Sequence, residues 1–321
     1  MECSKRLEEV ICRIQPCGLL LDVGCDHGYV PIEALRRERA AKAIAADVAE
    51  GPLRAAAAHI AAADLSERIQ VLRSDGLLQV ETQPDCIVMA GMGGRLMADI
   101  LSGRPTDGRQ LTEAEQKAAA SRAAALLQTA GQLLLSPQSE PELIRRLLVE
   151  RLGLWIWDEV MIEEDGKFYV LLDVRSGHEQ DELPGEMQQQ KPAAHSKVRH
   201  SLSAAESWTE TEFLYGKRLL EKRDPVFLRW LRLQHEKKQA ALSRSRAGRS
   251  DQAKRQQAML SQEVEQLEAL LCVDGAGHGS SSHSSSGVGS SGGNSSDGNS
   301  SVDSSSNGNS PVDSSSNGRQ R

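Results

Sequence analysis

Between residues 18 and 174 short apolar runs alternate with helix-like stretches, the pattern of a parallel sheet joined by crossover helices. The apolar runs lie at residues 19–23, 42–47, 69–72, 86–90 and 132–135, and the helix-like stretches at 31–39, 51–63, 94–101, 113–129 and 140–153. Leu19-Leu20-Leu21 has no polar alternate, as a strand covered on both faces requires. Pro31 and Pro52 stand near helix starts, where a missing N–H costs little. After the fifth run, residues 154–163 and 168–174 read as two further strands. Glu164-Asp165-Gly166-Lys167 joins them, and its central Asp-Gly suits a tight hairpin.

Residues 176–208 are polar and rich in glutamine, and are expected to form a linker or long loop. From 209 to 271 the chain turns helical again. Asp224-Pro225 is a helix start, an N-cap acid followed by proline at the first helical position. A break at 247–251 separates two helices, and Leu260, Val264, Leu267 and Leu271 make a 4-3-4 stripe on the second, so a coiled-coil-like antiparallel hairpin is expected. In the remainder, 272–321, Ser, Gly and Asn dominate, and VDSSSNG recurs with a ten-residue period. Such a segment has too little apolar surface to offset its ordering entropy, and is expected to be a disordered tail dispensable for chemistry.

Only 39% of the 321 residues are apolar, and the tail explains much of that deficit. The net charge of −7 means that any nucleic-acid partner must be met by a local patch. Cys3, Cys12, Cys17, Cys25, Cys86 and Cys272 include no C-x-x-C pair and have no matching histidine spacing. Neither a metal site nor a disulfide framework is expected. The N-terminus reads as a short amphipathic helix without an apolar h-region, and no run approaches a membrane span. A cytoplasmic protein with no membrane association is expected; the oligomeric state is left open.

The chemistry concentrates in Asp22-Val23-Gly24-Cys25-Asp26-His27-Gly28-Tyr29-Val30-Pro31, which follows an apolar run and opens a helix. Gly24 and Gly28 let the backbone turn sharply and pass close to a ligand. A dinucleotide fingerprint needs G-x-G-x-x-G, and this loop lacks its second and third glycines. D-x-G-x-x-x-G instead suits a methyl donor without a pyrophosphate. The hairpin at the end of the sheet points the same way, to a Rossmann-like class I methyltransferase fold: α/β, mostly parallel, with an antiparallel C-terminal hairpin. Nineteen residues past Gly28 comes Asp47, followed by Val48, where an acid bonds the ribose hydroxyls of an adenosine-containing cofactor. Taken alone, Asp47 is equally a solvated loop acid or helix cap. Asp75-Gly76 follows the third strand, where the adenine edge is read. Ala90-Gly91-Met92-Gly93 follows the fourth, where three glycines in four positions from Gly91 leave room for a ligand and Met92 offers it a soft apolar contact. The cofactor set expected for S-adenosylmethionine is thus Asp22, Gly24, Cys25, His27, Gly28, Asp47, Val48, Asp75, Gly76, Ala90, Gly91, Met92 and Gly93.

These segments resemble the bacterial tRNA adenine-N1 methyltransferases of the TrmK type, which modify adenine 22 in the D arm. The matching residues are DVGCDHGYVP at 22–31, ADVAEGPL at 46–53, SDGL at 74–77, DCIVMAGMGG at 85–94 and EEDGKFY at 163–169. LYGKRLLEKRDPVFLRWL at 214–231 resembles the family's junction into a helical C-terminal domain. The resemblance spans roughly 5–271 and implies tRNA as substrate. The family's Gln-Pro-Asn-like segment after the fifth strand is replaced here by Ser136-Pro137-Gln138-Ser139, so a base-holding amide is not carried over to this chain.

N1 of neutral adenine already carries an in-plane lone pair, so no base is needed to create the nucleophile. Catalysis should then rest on positioning and on meeting the charge that moves onto the ring. Asp26 is the expected catalytic carboxylate, with a loop-capping role as its alternative. His27 is expected to bond the loop; Tyr29 stacks on a base or packs beneath the cofactor. From Phe213 to Arg255 thirteen basic residues stand against four acids, a balance of +9 in an acidic chain. Among them Lys217, Arg218, Lys222, Arg223, Arg229 and Arg232, with Tyr29, are the candidate RNA contacts. Two other readings remain: a class I methyltransferase acting on another RNA site or a small molecule, and a non-catalytic RNA-binding adaptor that kept the fold.

Overall fold

β1 (Cys17–Val23) lies between β2 and β4 in a seven-stranded sheet of order β3-β2-β1-β4-β5-β7-β6, seen in a computed structural model that describes residues 4–175, 207–245 and 250–272. β2 (Ala40–Asp47), β3 (Ile69–Arg73), β4 (Cys86–Ala90) and β5 (Gln132–Ser136) all run parallel to it. β6 (Trp155–Glu164) and β7 (Lys167–Arg175) close the sheet as an antiparallel hairpin. Its turn has Asp165 and Gly166 both at positive φ, 49° and 71°, the twist that a two-residue hairpin turn needs. The Rossmann-like methyltransferase fold is therefore present.

The unalternating apolar runs are explained by the two faces. Leu21, Ile44, Ile87, Met89, Leu133 and Leu135 pack on one side with α4 (Gly94–Leu101), α5 (Glu113–Thr129) and α6 (Pro141–Arg146). Leu20, Ala43, Ala45, Val88 and Leu134 pack on the other with α1 (Lys5–Arg13), α2 (Tyr29–Arg36) and α3 (Glu50–Ala62). Successive strand residues face opposite layers, so every position has to be apolar.

The chain lays down β1, β2 and β3 outward in one direction, then returns to put β4 on the other side of β1. The crevice at the carboxyl ends of β1 and β4 is the switch point where open α/β sheets bind ligands.

Three local differences from the sequence reading have physical causes. α2 begins at Tyr29, two residues ahead of Pro31, because Gly28 (φ 72°) makes the turn into the helix. The helix expected at 140–153 is α6 followed by a π-helical turn, Leu147–Leu152, that ends on left-handed Gly153. The arm comprises four helices rather than two: α7 (Glu210–Tyr215), α8 (Lys217–Lys222), α9 (Pro225–Ser245) and α10 (Asp251–Cys272). Gly216 (φ 93°) and Arg223 (φ 51°) interrupt it. Asp224 caps α9 as its sequence suggested, its Oδ1 accepting from Val226 and Phe227 N–H at 2.9 and 3.0 Å. α9 and α10 run antiparallel, tied by Lys238 to Glu263 at 2.7 Å and His235 to Glu268 at 3.1 Å. Most of the expected linker, most of the break at 247–251, Arg246, Arg249 and the repeats past Cys272 lie outside the described residues.

Candidate functional site

The loop after β1 is built by backbone bonding. Gly24 and Cys25 N–H donate to the Ala46 carbonyl at 2.8 and 3.0 Å, which pins the turn to the end of β2. Gly28 N–H donates to Cys25 O at 2.7 Å, closing the loop into α2. Both glycines sit at positive φ, 77° and 72°. A Cβ on Gly28 would stand 3.2 Å from Ala56 Cβ, so glycine here also lets α2 and α3 approach. Asp26 (φ 48°) rides at the apex with its side chain 72% exposed.

Asp22 is buried at the base of this loop. Burial, with the Asp47 carboxylate second, pushes its carboxyl up to about 7. Burial also drives the Cys25 thiol upward, leaving it a protonated packing group. Asp47 ends β2, and its Oδ1 accepts from Ala49 N–H at 2.9 Å, ordering the turn into α3. Val48 beside it is exposed.

After β3 the chain makes the Ser74-Asp75-Gly76 turn. Asp75 is buried, and both its carboxylate oxygens accept from Thr106 N–H at 3.0 Å. Arg109 pairs with it at 3.3 Å. The 102–112 loop thus reaches back onto the SDG turn, a contact that no local pattern announced. Gly76 (φ 58°) is packed against Ile100, 2.8 Å from where its Cβ would lie.

The turn after β4 completes the crevice. Gly91 (φ 86°) is open, with nothing within 4 Å of a Cβ placed there. Met92 crosses the switch point to lie against Gly24. Its carbonyl accepts from Gln138 N–H at 2.8 Å, which sets exposed Gln138 beside the glycine turn. Gly93 caps α4, and Ser139 lies against both Gly93 and Gly94. Ser136, which pairs in register with Ala90, is fully buried, and its Oγ has no hydrogen-bond partner among the described residues. Gly24 and Gly28 at positive φ on one loop, an open Gly91 on the facing loop and the buried Ser136 hydroxyl make a cradle that suits an adenosine-containing methyl donor.

Tyr29 opens α2 and faces α3. Its ring stacks on His59 of α3, with centroids 5.3 Å apart and planes 17° off parallel. His27 joins them at 5.4 Å from Tyr29 and 5.6 Å from His59. His59 Nδ1 also lies 3.0 Å from the His27 carbonyl. His59 belongs to none of the sequence motifs, and only the placement of α3 reveals it.

Most of the candidate RNA cations are already engaged. Lys222 pairs with Asp158, Arg229 with Glu163 and Lys217 with Glu212. Arg218 bonds Glu221 at 3.0 Å and its N–H donates to Glu159. Arg223 donates to the Leu270 carbonyl at 2.8 Å. Arg232 is exposed, and none of the described residues pairs with it. Among the described residues no group of His, Cys, Asp and Glu could hold a metal ion, and no helix is long and apolar enough to cross a membrane.

Comparison with known proteins agrees with this geometry. A family described as a methyltransferase domain matches residues 3–172. The tRNA (adenine(22)-N(1))-methyltransferase of Bacillus subtilis is 31% identical over 238 residues, covering 73% of this chain and 83% of the relative. The crystal structure of the B. subtilis m1A22 tRNA methyltransferase TrmK superposes with a TM-score of 0.62 at 27% identity, over 84% of this chain and 99% of that one. A Streptococcus pneumoniae structure in complex with S-adenosyl-L-methionine gives 0.61 at 28% identity, over 84% and 100%. On the domain match and on a relative of that identity and span, the chain belongs to the tRNA (adenine(22)-N(1))-methyltransferase family.

Proposed function

We propose that this chain methylates N1 of adenine 22 in the D arm of tRNA with S-adenosyl-L-methionine as donor, and that it does so in the cytoplasm. The observation that carries the reading is the meeting, at one switch point, of the Gly24–Gly28 turn, Asp47 and the Gly91–Gly94 turn, in a chain so related to an enzyme of that name. Residues 1–175 form the catalytic unit in this reading, and 209–271 the arm.

The bound donor supplies an electrophilic methyl group on a sulfonium. Asp22, Gly24, Cys25, His27, Gly28, Asp47, Val48, Gly76, Ala90, Gly91, Met92 and Gly93 are the residues that would hold it, Asp47 toward the ribose hydroxyls. Asp75 serves indirectly, by fastening the 102–112 loop onto the Ser74-Asp75-Gly76 turn. The target adenine must leave its stack, because N1 lies on the pairing edge. Its lone pair is already in the ring plane, so the chain's task is to hold that plane in line and to meet the positive charge that develops on the ring. Asp26, exposed at the apex of the cofactor turn, supplies the carboxylate for that purpose. The rings of His27, Tyr29 and His59 stand beside it as a surface on which a base can stack.

The test is nucleoside analysis of tRNA after incubation with the protein and labelled donor. The expected product is 1-methyladenosine at position 22; label at any other nucleoside, or none, would overturn the assignment.

A further inference from the structure

Arg145 and Glu159 take no part in this chemistry, yet they are among the least accessible residues of the protein, 1% and 0% exposed. A bulge in β6 puts Glu159 there. Leu154 and Ile156 face the core, but the register shifts between Ile156 and Asp158, and from that point Glu159 and Met161 take the inward positions. One extra residue therefore carries a carboxylate into the interior.

Beyond the bond between them, the pair's polar groups meet the start of the arm. Arg145 Nε donates to Glu159 Oε1 at 2.6 Å, and its Nη1 to the carbonyls of Phe213 and Leu214 at 3.0 and 3.2 Å. Glu159 Oε2 accepts from Arg218 N–H at 3.1 Å. Gly216 lies over the pair, and a Cβ there would come within 2.8 Å of Arg145 Nη2 and of both Glu159 oxygens. The LYGKR segment is thus shaped to lie on a buried ion pair. Around it Lys222 meets Asp158 and Arg229 meets Glu163, both acids on β6. Below it Leu219, Phe227, Leu231 and Leu267 join the core of the catalytic sheet. A buried ion pair adds little net stability over apolar residues of the same volume; its better-attested use is to specify one geometry.

We propose that the Arg145–Glu159–Gly216 cluster is a lock that holds the helical arm at one angle to the donor site, and that the basic run divides accordingly. Lys222 and Arg229 fasten the arm, while Arg232, Lys237, Arg244 and Arg255, which pair with none of the described residues, meet tRNA phosphates. This rests on the tRNA reading above. Leverage makes the lock matter. Arg244 lies thirteen residues beyond buried Leu231, about 20 Å along the helix. A tilt of about 10° at the root moves that point by roughly 3 Å, more than a hydrogen bond to phosphate tolerates. Arg145, Glu159 and Gly216 are therefore positioning residues for tRNA.

The slope of binding affinity against salt separates contact from positioning, because each phosphate contact contributes about 0.9 to it. The probe is an unmodified tRNA transcript carrying adenine at position 22. Replacing Arg232, Lys237, Arg244 or Arg255 by alanine should lower the slope by about one unit each. Lys222→Met and Arg229→Met should leave it at the wild-type value. Gly216→Ala, and separately the double variant Arg145→Met/Glu159→Leu, should weaken transcript binding at least tenfold (order of magnitude, by the leverage above) while donor affinity, read by calorimetry, stays unchanged. If Gly216→Ala takes up no donor, it has misfolded and the double variant decides. Equal slopes for both sets of cations, or wild-type transcript affinity in a folded lock variant, would overturn the lock. Transcript binding by wild type that is absent or indifferent to salt would overturn the tRNA reading as well.

Discussion

Met92 Cε lies so close to the backbone of Gly24 that a Cβ on the glycine would stand 2.9 Å from it. The two residues follow β1 and β4, the strands on either side of the switch point. The thioether of one loop occupies the space that the other leaves by having no side chain. Gly24 is also at φ 77°, where an L side chain costs about 1–2 kcal/mol. Gly24→Ala should therefore reduce stability by that amount and weaken donor binding at least tenfold. Gly24→Ala/Met92→Ala should relieve the clash but keep the φ penalty. Donor affinity in Gly24→Ala equal to wild type, measured by calorimetry, would remove this turn from the cofactor site.

Asp47 offers a sharper distinction between turn-maker and ligand. Its Oδ1 accepts one bond from Ala49 N–H, which an asparagine oxygen can also accept. Asp47→Asn should leave the melting temperature within a few degrees of wild type, yet lower donor affinity by roughly 1.5–3 kcal/mol, the scale of hydrogen bonds to a charged group. A silent Asn variant would reduce Asp47 to its turn.

Asp26 is mostly exposed and, among the described residues, makes no side-chain bond beyond a 3.6 Å approach to His27. Asp26→Ala should leave thermal stability and donor affinity unchanged and lower kcat on tRNA by about a hundredfold, the scale for loss of one aligned electrostatic contact. Wild-type turnover in this variant would exclude the carboxylate from the reaction.

Asp22 makes stability depend on pH. Its pKa is raised in the folded protein to about 7 by burial and by Asp47, from 3.8 when exposed. The folded state thus holds a proton that the unfolded chain has released, so the stability tied to this group is fully present below pH 4 and lost as pH rises to about 7. Every tenfold gain in proton affinity on folding is worth about 1.4 kcal/mol. Asp22→Asn should flatten the fall in melting temperature between pH 4 and 7 relative to wild type. Parallel curves for the two proteins would show that Asp22 is not protonated in the fold.

His59 supports the ring cluster from behind, bonding the His27 carbonyl and stacking on Tyr29. His59→Ala should cost about 1 kcal/mol in stability. It should also raise KM for tRNA several-fold without changing donor affinity, because the loop's backbone is held by other bonds. An unchanged KM in steady-state assays would leave the rings a purely structural cluster.

Local chemistry along the chain already determined much of this protein. Apolar runs such as Leu19-Leu20-Leu21 announced strands covered on both faces, Asp165-Gly166 the hairpin, Asp224-Pro225 the start of α9, and Gly24 and Gly28 the sharp turn from β1 into α2. These signals are legible because each depends on neighbours within a few residues: a periodicity, a cap, a positive φ. What crosses the sheet was decided only by the tertiary structure. Asp75 was legible only by its place after the third strand, and the structure adds that the 102–112 loop folds back to bond it. Tyr29 found His59, thirty residues away on another helix. Lys222 and Arg229 read as part of a basic patch because the acids that meet them, Asp158 and Glu163, lie some sixty residues earlier on β6. A charge run in sequence fixes how many charges a segment carries; where they are neutralised depends on which distant strand packs beside it, and here one bulged residue in β6 decided that Glu159 would be the inward acid.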